Sequence, residues 1–193
     1  RDVEAKGGAV GLASVPAEAA FPLSFTDCDF SGSDAGVSLT RALVSLSNVD
    51  VSQGGAVYAR FAHSGGSWRG GFLGNPGPRP RAAVALVNDD YGGVWWPLEG
   101  LTVDNESEGF SEAALVATAG LKVRLRVSGL DASRLGPGAC GVLLLGDRWG
   151  DAPAADVSGV WSWSGDASTR VTGRGWVVNG RPAVVGAVPA AGD

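Results

Sequence analysis

The strict alternation of apolar and polar residues between Leu121 and Ser128 is the feature that most constrains the fold. Leu121, Val123, Leu125 and Val127 alternate with Lys122, Arg124, Arg126 and Ser128. Side chains of a β-strand point to opposite faces in turn, so a period of two places the apolar set on a buried face and the charges in solvent. A helix would scatter these charges around its axis. We therefore predict a half-buried β-strand here.

Other segments show the same two-residue period, and glycine- or proline-rich turn clusters separate them. The pair Asn179-Gly180 predicts a type I′ hairpin turn, because both residues tolerate positive φ. Between Gly36 and Leu46 the alternation changes phase near Arg41-Ala42, which indicates a β-bulge. The further predicted strands are 21–25, 57–63, 82–88, 141–145, 157–163, 175–179 and 181–188. In 157–163 the alternation places Trp161 and Trp163 on one face.

Few residues favour a helix. The segment Ser111–Ala119 fits either a helix capped by Ser111 or a strand that begins near Ala114, and Asp131–Leu135 fits one helical turn. No self-similar period of 20–50 residues is visible, which argues against a solenoid or a propeller. We therefore predict an all-β fold, a single antiparallel β-sandwich of jelly-roll type with at most one short helix.

The ends of the chain differ from its centre. Residues 1–20 and 184–193 are rich in small residues and weakly patterned, so we expect an N-terminal arm or linker, a sandwich domain over 21–183 and a C-terminal arm. The length of 193 residues fits one large domain. The arms are expected to lie on neighbouring subunits.

Composition narrows the possible partners. The net charge is −5, with only two lysines among 15 basic residues. This balance argues against nucleic acid and anionic lipid as partners, since both require basic patches. No apolar run approaches the length of a transmembrane helix, so we expect no membrane insertion. We expect a virion or extracellular location.

Groups that serve catalysis are scarce. His63 is the only histidine and lies in no nucleophile motif, so we expect an ordinary histidine at a strand end. Cys28 lies between Asp27 and Asp29, whose charges disfavour a thiolate. Cys28 and Cys140 form either one disulfide or two buried free thiols. A pair of carboxylates for glycoside hydrolysis stays open, because sequence does not give distances between acids.

Metal and cofactor motifs are equally sparse. The run Asp104–Gly109 begins loosely like a calcium-binding loop, but the twelfth position of that loop is Leu115, which cannot ligate. A solvated acidic turn explains it better, and Asn105 begins a glycosylation sequon within it. Glycines lie outside any phosphate-loop context. We expect no metal and no cofactor.

Tryptophan and arginine remain as candidate binding residues. Adjacent tryptophans on a strand point to opposite faces, so one of Trp95 and Trp96 is expected to be exposed, under a loop or at an interface. Trp161 and Trp163 are expected to plug the ends of the sandwich. Trp and Arg dominate binding hot spots. The predicted binding residues are Trp68, Trp95, Trp96, Arg148 and Trp149.

Three functions fit these observations. The first is a non-enzymatic structural or attachment component of a virus or phage particle, such as a capsid-decorating, spike or fibre-head domain. It would contact other particle proteins, a glycan or cell-surface receptor, and copies of itself in a homo-oligomer for which a trimer is favoured. The second is a carbohydrate-binding module with an exposed tryptophan platform. The third is a hydrolase with an unpatterned carboxylate pair. The first is preferred, largely by analogy between folds.

Overall fold

The computed structural model describes residues 4–14, 21–53, 56–74, 80–88, 95–103, 110–119, 124–132, 135–146, 153–162, 166–172 and 175–188. Over these ranges the secondary structure is β throughout, which confirms the all-β prediction. The strands are β1 (Glu4–Ala13), β2 (Phe21–Thr40), β3 (Ala42–Gln53), β4 (Val57–Ala62), β5 (Gly65–Arg69), β6 (Phe72–Leu73), β7 (Ala82–Asn88), β8 (Trp95–Glu99), β9 (Thr102–Val103), β10 (Ala113–Ala119), β11 (Arg124–Ala132), β12 (Cys140–Leu145), β13 (Ala154–Ser162), β14 (Asp166–Thr172), β15 (Val177–Val178), β16 (Arg181–Pro182) and β17 (Gly186–Val188).

The strands pair in parallel with strands one full turn of the chain away, so the fold is β-solenoid-like. Face 1 contains the end of β2 followed by β4, β7, β10, β12 and β14. Face 2 contains the starts of β2 and β3, then β5, β8 and the starts of β11 and β13. Face 3 contains later parts of β2 and β3, then β6, β9 and the ends of β11 and β13.

The last strands differ because they run antiparallel. β16 pairs with β15 and β17 pairs with β14, each in antiparallel register. The β15–β16 turn has φ of 49° at Asn179 and 73° at Gly180, which confirms the hairpin predicted from these two residues. β1 pairs in parallel with β2 of the same chain.

The predicted antiparallel sandwich, or jelly roll, is wrong. Both architectures bury one side of each strand, so alternation alone does not distinguish them. The expectation against a solenoid is wrong as well, because the repeat exists but its length varies from turn to turn. On face 1, successive residues in register are separated by 22, 25, 31, 27 and 27 positions in the chain. These residues are Val37, Ala59, Val84, Leu115, Val142 and Thr169.

Individual strands show where local prediction succeeded. In β11, Leu125 and Val127 are buried and Arg124 and Arg126 are exposed, as the alternation predicted; residues 121–123 of that segment lie outside the described ranges. The helix considered at Ser111–Ala119 is strand β10 instead. Asp131, where a helical turn was expected, belongs to β11.

The interior is filled by inward side chains stacked turn on turn. The largest of these, Trp68, Trp96 and Trp176, are almost completely buried. Phe61 joins two of them, with ring centroids 6.1 Å from Trp68 and 5.1 Å from Trp96. Burying each such ring contributes roughly 2–3 kcal/mol, so this stack anchors the fold.

One corner recurs with the same backbone geometry. Between face 2 and face 3 each described turn places one corner residue in the left-handed region, with φ between 52° and 63°, and in one turn the next residue, Gly71, also has a positive φ. Only glycine, and less readily Asn or Asp, adopts this conformation without strain. The corner residues in order are Asp27, Asn48, Gly70, Gly100, Gly129 and Gly159.

Candidate functional site

Face 3 carries one continuous outward row, which we call the face 3 row. Each member lies two residues after a corner residue, and parallel pairing places successive members on neighbouring strands. Neighbouring strands lie about 4.8 Å apart, so the row runs straight along the solenoid axis. Its members are Asp29, Asp50, Phe72, Thr102, Asp131 and Trp161.

Two aromatic rings in this row are open to solvent. Phe72 is 40% exposed and Trp161 is 46% exposed. They are three strands apart, which corresponds to roughly 14 Å along the axis. Thr102 and Asp131 occupy the positions between them. Two isolated ring surfaces in the row are therefore separated by two oxygen-bearing side chains.

Both rings lie against glycine. A Cβ atom added at Gly159 would come within 2.6 Å of Cη2 of Trp161, and one added at Gly74 would overlap Cε1 and Cζ of Phe72. Each ring thus occupies the space that a side chain would fill if the neighbouring glycine were any other residue. Contact with the backbone restricts where the rings can lie, and this reduces the entropy lost when they are covered.

The polar members of the row are all acceptors or hydroxyls. The Asp50 carboxylate accepts a hydrogen bond of 2.8 Å from the backbone N–H of Phe72. At the adjacent corner Asn48 Nδ2 donates to Asp27 Oδ1 over 2.8 Å. Asp131 Oδ1 is buried and has no hydrogen-bond partner. None of the six row members is basic and three are aspartates, so the formal charge of the row is negative.

The outward surface of face 2 is different, because its charges are paired. Arg69 Nε lies 3.0 Å from Glu99 Oε2, and Arg126 Nη2 lies 3.9 Å from Asp156 Oδ2. Such exposed pairs contribute between 0 and about 1 kcal/mol each. They neutralise the surface beside the face 3 row.

Face 2 also carries an open apolar depression of about 350 Å³. Leu43, which is 42% exposed, is one of its lining residues. Most of the lining surface is apolar, and its polar side chains are the hydroxyls of Ser24 and Ser45, so the depression has few groups to orient a small polar ligand. Its lining residues are Pro22, Leu23, Ser24, Leu43, Val44, Ser45 and Gly66.

The tryptophans predicted from the sequence as binding residues are not members of the face 3 row. Trp68 and Trp96 are both in the core, where Trp96 Nε1 donates to the Ser64 carbonyl over 2.8 Å, so neither ring faces a partner in this structure. Trp95 belongs to β8, but its side chain lies outside the description. Arg148, Trp149 and Trp163 lie outside the described residues. Trp161, expected to plug the fold, is exposed.

A signal for the face 3 row was present in the sequence. Each turn contains an apolar residue, any residue, then Asp, Asn or Gly, followed by two further positions of which the second belongs to the row. The corner residues recur at intervals of 21, 22, 30, 29 and 30 residues. Six copies of this pattern predict a stacked corner, and so a solenoid, even though the interval varies.

The reactive groups are separated from one another. Cys28 and Cys140 are both buried and free, so the disulfide alternative is wrong. Burial raises the pKa of the Cys140 thiol, and the charge of Arg170 opposes this only in part. His63 lies at a corner with φ of 48°. Within the described ranges no three His, Cys, Asp or Glu side chains converge as metal ligands, and the acidic run 104–109 lies outside those ranges.

Comparison with known proteins gives no family. No family model, curated protein or solved structure matches this chain. Among the described residues, no helix is long and apolar enough to span a membrane.

Proposed function

We propose that this chain is a non-enzymatic attachment module, of the kind carried by a virus or phage particle, in which the solenoid holds the face 3 row against a receptor. The observation that carries the proposal is the pair of exposed rings, Phe72 and Trp161, aligned on one rigid outward row. Aromatic residues that project from rigid elements make effective binding anchors, because little conformational freedom is lost on contact.

The distribution of side chains between inside and outside supports a surface function. The interior is packed with buried rings and aliphatic residues. The sole histidine lies at a backbone corner, and both thiols are buried away from solvent. The groups best placed to meet another molecule are therefore those of the outward faces.

The proposal includes self-association and an extracellular or virion location. Copies of a rigid module displayed together multiply weak individual contacts through avidity. β1 and β17 pair with strands of their own chain, so the self-contacts that we propose use the outward faces. Sedimentation equilibrium over a range of concentrations tests the association, for which we expect trimers.

Binding of the labelled full chain to intact Gram-positive, Gram-negative and mammalian cells tests the attachment function directly. We expect saturable binding to at least one cell type that unlabelled chain competes away. The variant Phe72→Ser/Trp161→Ser should lose this binding, whereas Leu43→Ser, which removes an equally exposed apolar side chain from face 2, should retain it. Absence of saturable binding to all three cell types, or equal binding by both variants, contradicts the proposal.

A further inference from the structure

We infer that the face 3 row binds a linear, neutral polysaccharide that lies along the solenoid axis and stacks on Phe72 and Trp161. This inference rests on the attachment function proposed above and specifies the class of receptor. It follows from three features of the row: the placement of the rings, the residues between them and the sign of the charge.

The rings present the surface that a sugar ring needs. The face of an aromatic ring carries negative electrostatic potential, and the C–H bonds on one side of a pyranose carry small positive charges. Trp161 lies over Gly159 and Phe72 over Gly74, and both remain partly exposed. A sugar unit can therefore stack on each ring without the ring first moving out of the core.

The spacing favours an extended polar ligand over a protein. A protein interface has a contiguous apolar centre. Here the two rings are separated by Thr102 and Asp131, over roughly 14 Å if strands are about 4.8 Å apart. A polysaccharide presents repeated apolar ring faces separated by hydroxyl groups, which matches this order of side chains.

The charge of the row selects a neutral chain. Carboxylates accept strong hydrogen bonds from hydroxyl donors. The row has the carboxylates of Asp29, Asp50 and Asp131 and no basic residue, so it repels polymers that carry carboxylate or sulfate groups and favours uncharged hydroxyl donors. Nucleic acids and acidic glycans are disfavoured for the same reason.

Affinity electrophoresis of the full chain tests the inference. The gels contain hydroxyethyl cellulose, glucomannan, xylan or dextran as neutral probes, and polygalacturonate as the anionic probe. We expect at least one neutral probe to retard the chain and polygalacturonate to have no effect. Retardation by none of the neutral probes, or by polygalacturonate alone, would overturn the inference.

Variants then locate the site. Trp161→Ala and Phe72→Ala should each weaken retardation about tenfold or more, because each removes one of two anchors. Leu43→Ala is the matched control, since it truncates an exposed apolar side chain on face 2, and it should leave retardation unchanged. Thermal unfolding confirms that all three variants are folded. Equal retardation of the parent and both ring variants would contradict the assignment.

Gly74 gives a test of ring position that leaves every row residue in place. Its backbone φ lies outside the left-handed region, so alanine fits the backbone, but the new Cβ must displace the Phe72 ring. We expect Gly74→Ala to unfold at nearly the parental temperature and to bind the retained polysaccharide several-fold more weakly. Unchanged binding would show that the position of the Phe72 ring is irrelevant, against the inference.

Treatment of the cells separates this inference from the attachment function. Periodate cleaves sugar diols, whereas protease removes surface proteins. If periodate abolishes cell binding and protease does not, both proposals are supported. If protease abolishes binding and periodate does not, the attachment function holds and the polysaccharide inference is wrong. If the untreated cells do not bind the chain, the attachment function itself fails.

Discussion

The corner between faces 2 and 3 and the connections from face 3 to face 1 obey different rules. Every described turn has at this corner one residue with φ between 52° and 63°. The connections vary: three residues separate β3 from β4, and nine separate β9 from β10. The corner is uniform because the residues on both sides of it enter the buried stack. The connections vary because a longer surface loop adds little closure entropy, about 0.6 kcal/mol per doubling.

This difference predicts opposite responses to a one-residue insertion, which is the largest effect that we expect. A serine inserted between Ser128 and Gly129 shifts Leu130 and Ala132 out of register with face 3. It should destabilise the fold by about 4 kcal/mol or more, because a one-residue slip reverses which side chains are buried. Urea unfolding followed by circular dichroism measures this.

A serine inserted between Pro137 and Gly138, in an exposed turn of the connection between β11 and β12, is the matched control. We expect it to change the free energy of unfolding by less than about 1 kcal/mol. Similar losses from the two insertions would show that corner and connection are equally constrained, contrary to the comparison.

Within the corner, the second largest effect should come from Gly71, which follows the left-handed Gly70. Its φ is 121°, and an added Cβ would overlap the Val49 carbonyl oxygen of the preceding turn. Since backbone cannot move aside as a side chain can, Gly71→Ala should lose about 3 kcal/mol or more of stability. A Cβ at Gly100 meets no atom within 4 Å, so Gly100→Ala should lose only about 1 kcal/mol, from its positive φ. Equal losses would refute the distinction.

Asn48 gives a smaller test of the corner. It adopts at its corner the left-handed conformation that glycine adopts at the corners of the later turns. Asn48→Val places a β-branched residue at φ of 52° and should lose about 2 kcal/mol. Asn48→Gly removes only an exposed hydrogen bond to Asp27 and should change stability by less than about 1 kcal/mol. Paired thermal unfolding curves measure both, and a glycine variant less stable than the valine variant would contradict the role of φ.

The corner also explains which features of the fold were predictable. Alternation correctly gave the buried side of Leu125 and Val127, since it depends only on local geometry. It failed at Trp161 because a left-handed residue, Gly159, changes the phase, so Val157 and Val160 are both buried and Trp161 points outward. The phase change predicted near Arg41 is real, with φ of 54° at Arg41, but it marks a corner of the solenoid.

The parallel pairing and the binding row were harder to predict, because both depend on residues a full turn apart. Phe72 and Trp161 are 89 positions apart in the chain and share a row only because the four corners from Gly70 to Gly159 stack. Trp68 lies near a glycine-rich turn, which favoured an exposed position, yet it precedes the corner at Gly70 and faces inward. Tryptophan content alone does not distinguish these positions.

The smallest effect that we predict is a dependence of stability on pH caused by Cys140. This residue begins β12 on face 1, directly after the connection from β11. Its thiol is buried, and burial raises its pKa because the thiolate would lose its hydration. The unfolded chain therefore releases this proton at a lower pH than the folded chain. Above the ordinary thiol pKa, rising pH favours the unfolded state, so stability should fall slightly.

Replacing the thiol should remove this fall. Cys140→Ala and Cys140→Ser cannot ionise, so each should show a flatter decline of unfolding free energy between pH 8 and about 10, where an ordinary thiol titrates. Alanine also deletes the sulfur contacts with the carbonyls of Glu112 and Val142, whereas serine retains an acceptable donor, so agreement between the two variants isolates ionisation from packing. If the unfolding free energy of both variants falls with pH as steeply as that of the parent, the fall does not come from the Cys140 thiol. The start of β12 would then be no more sensitive to pH than the corner between faces 2 and 3.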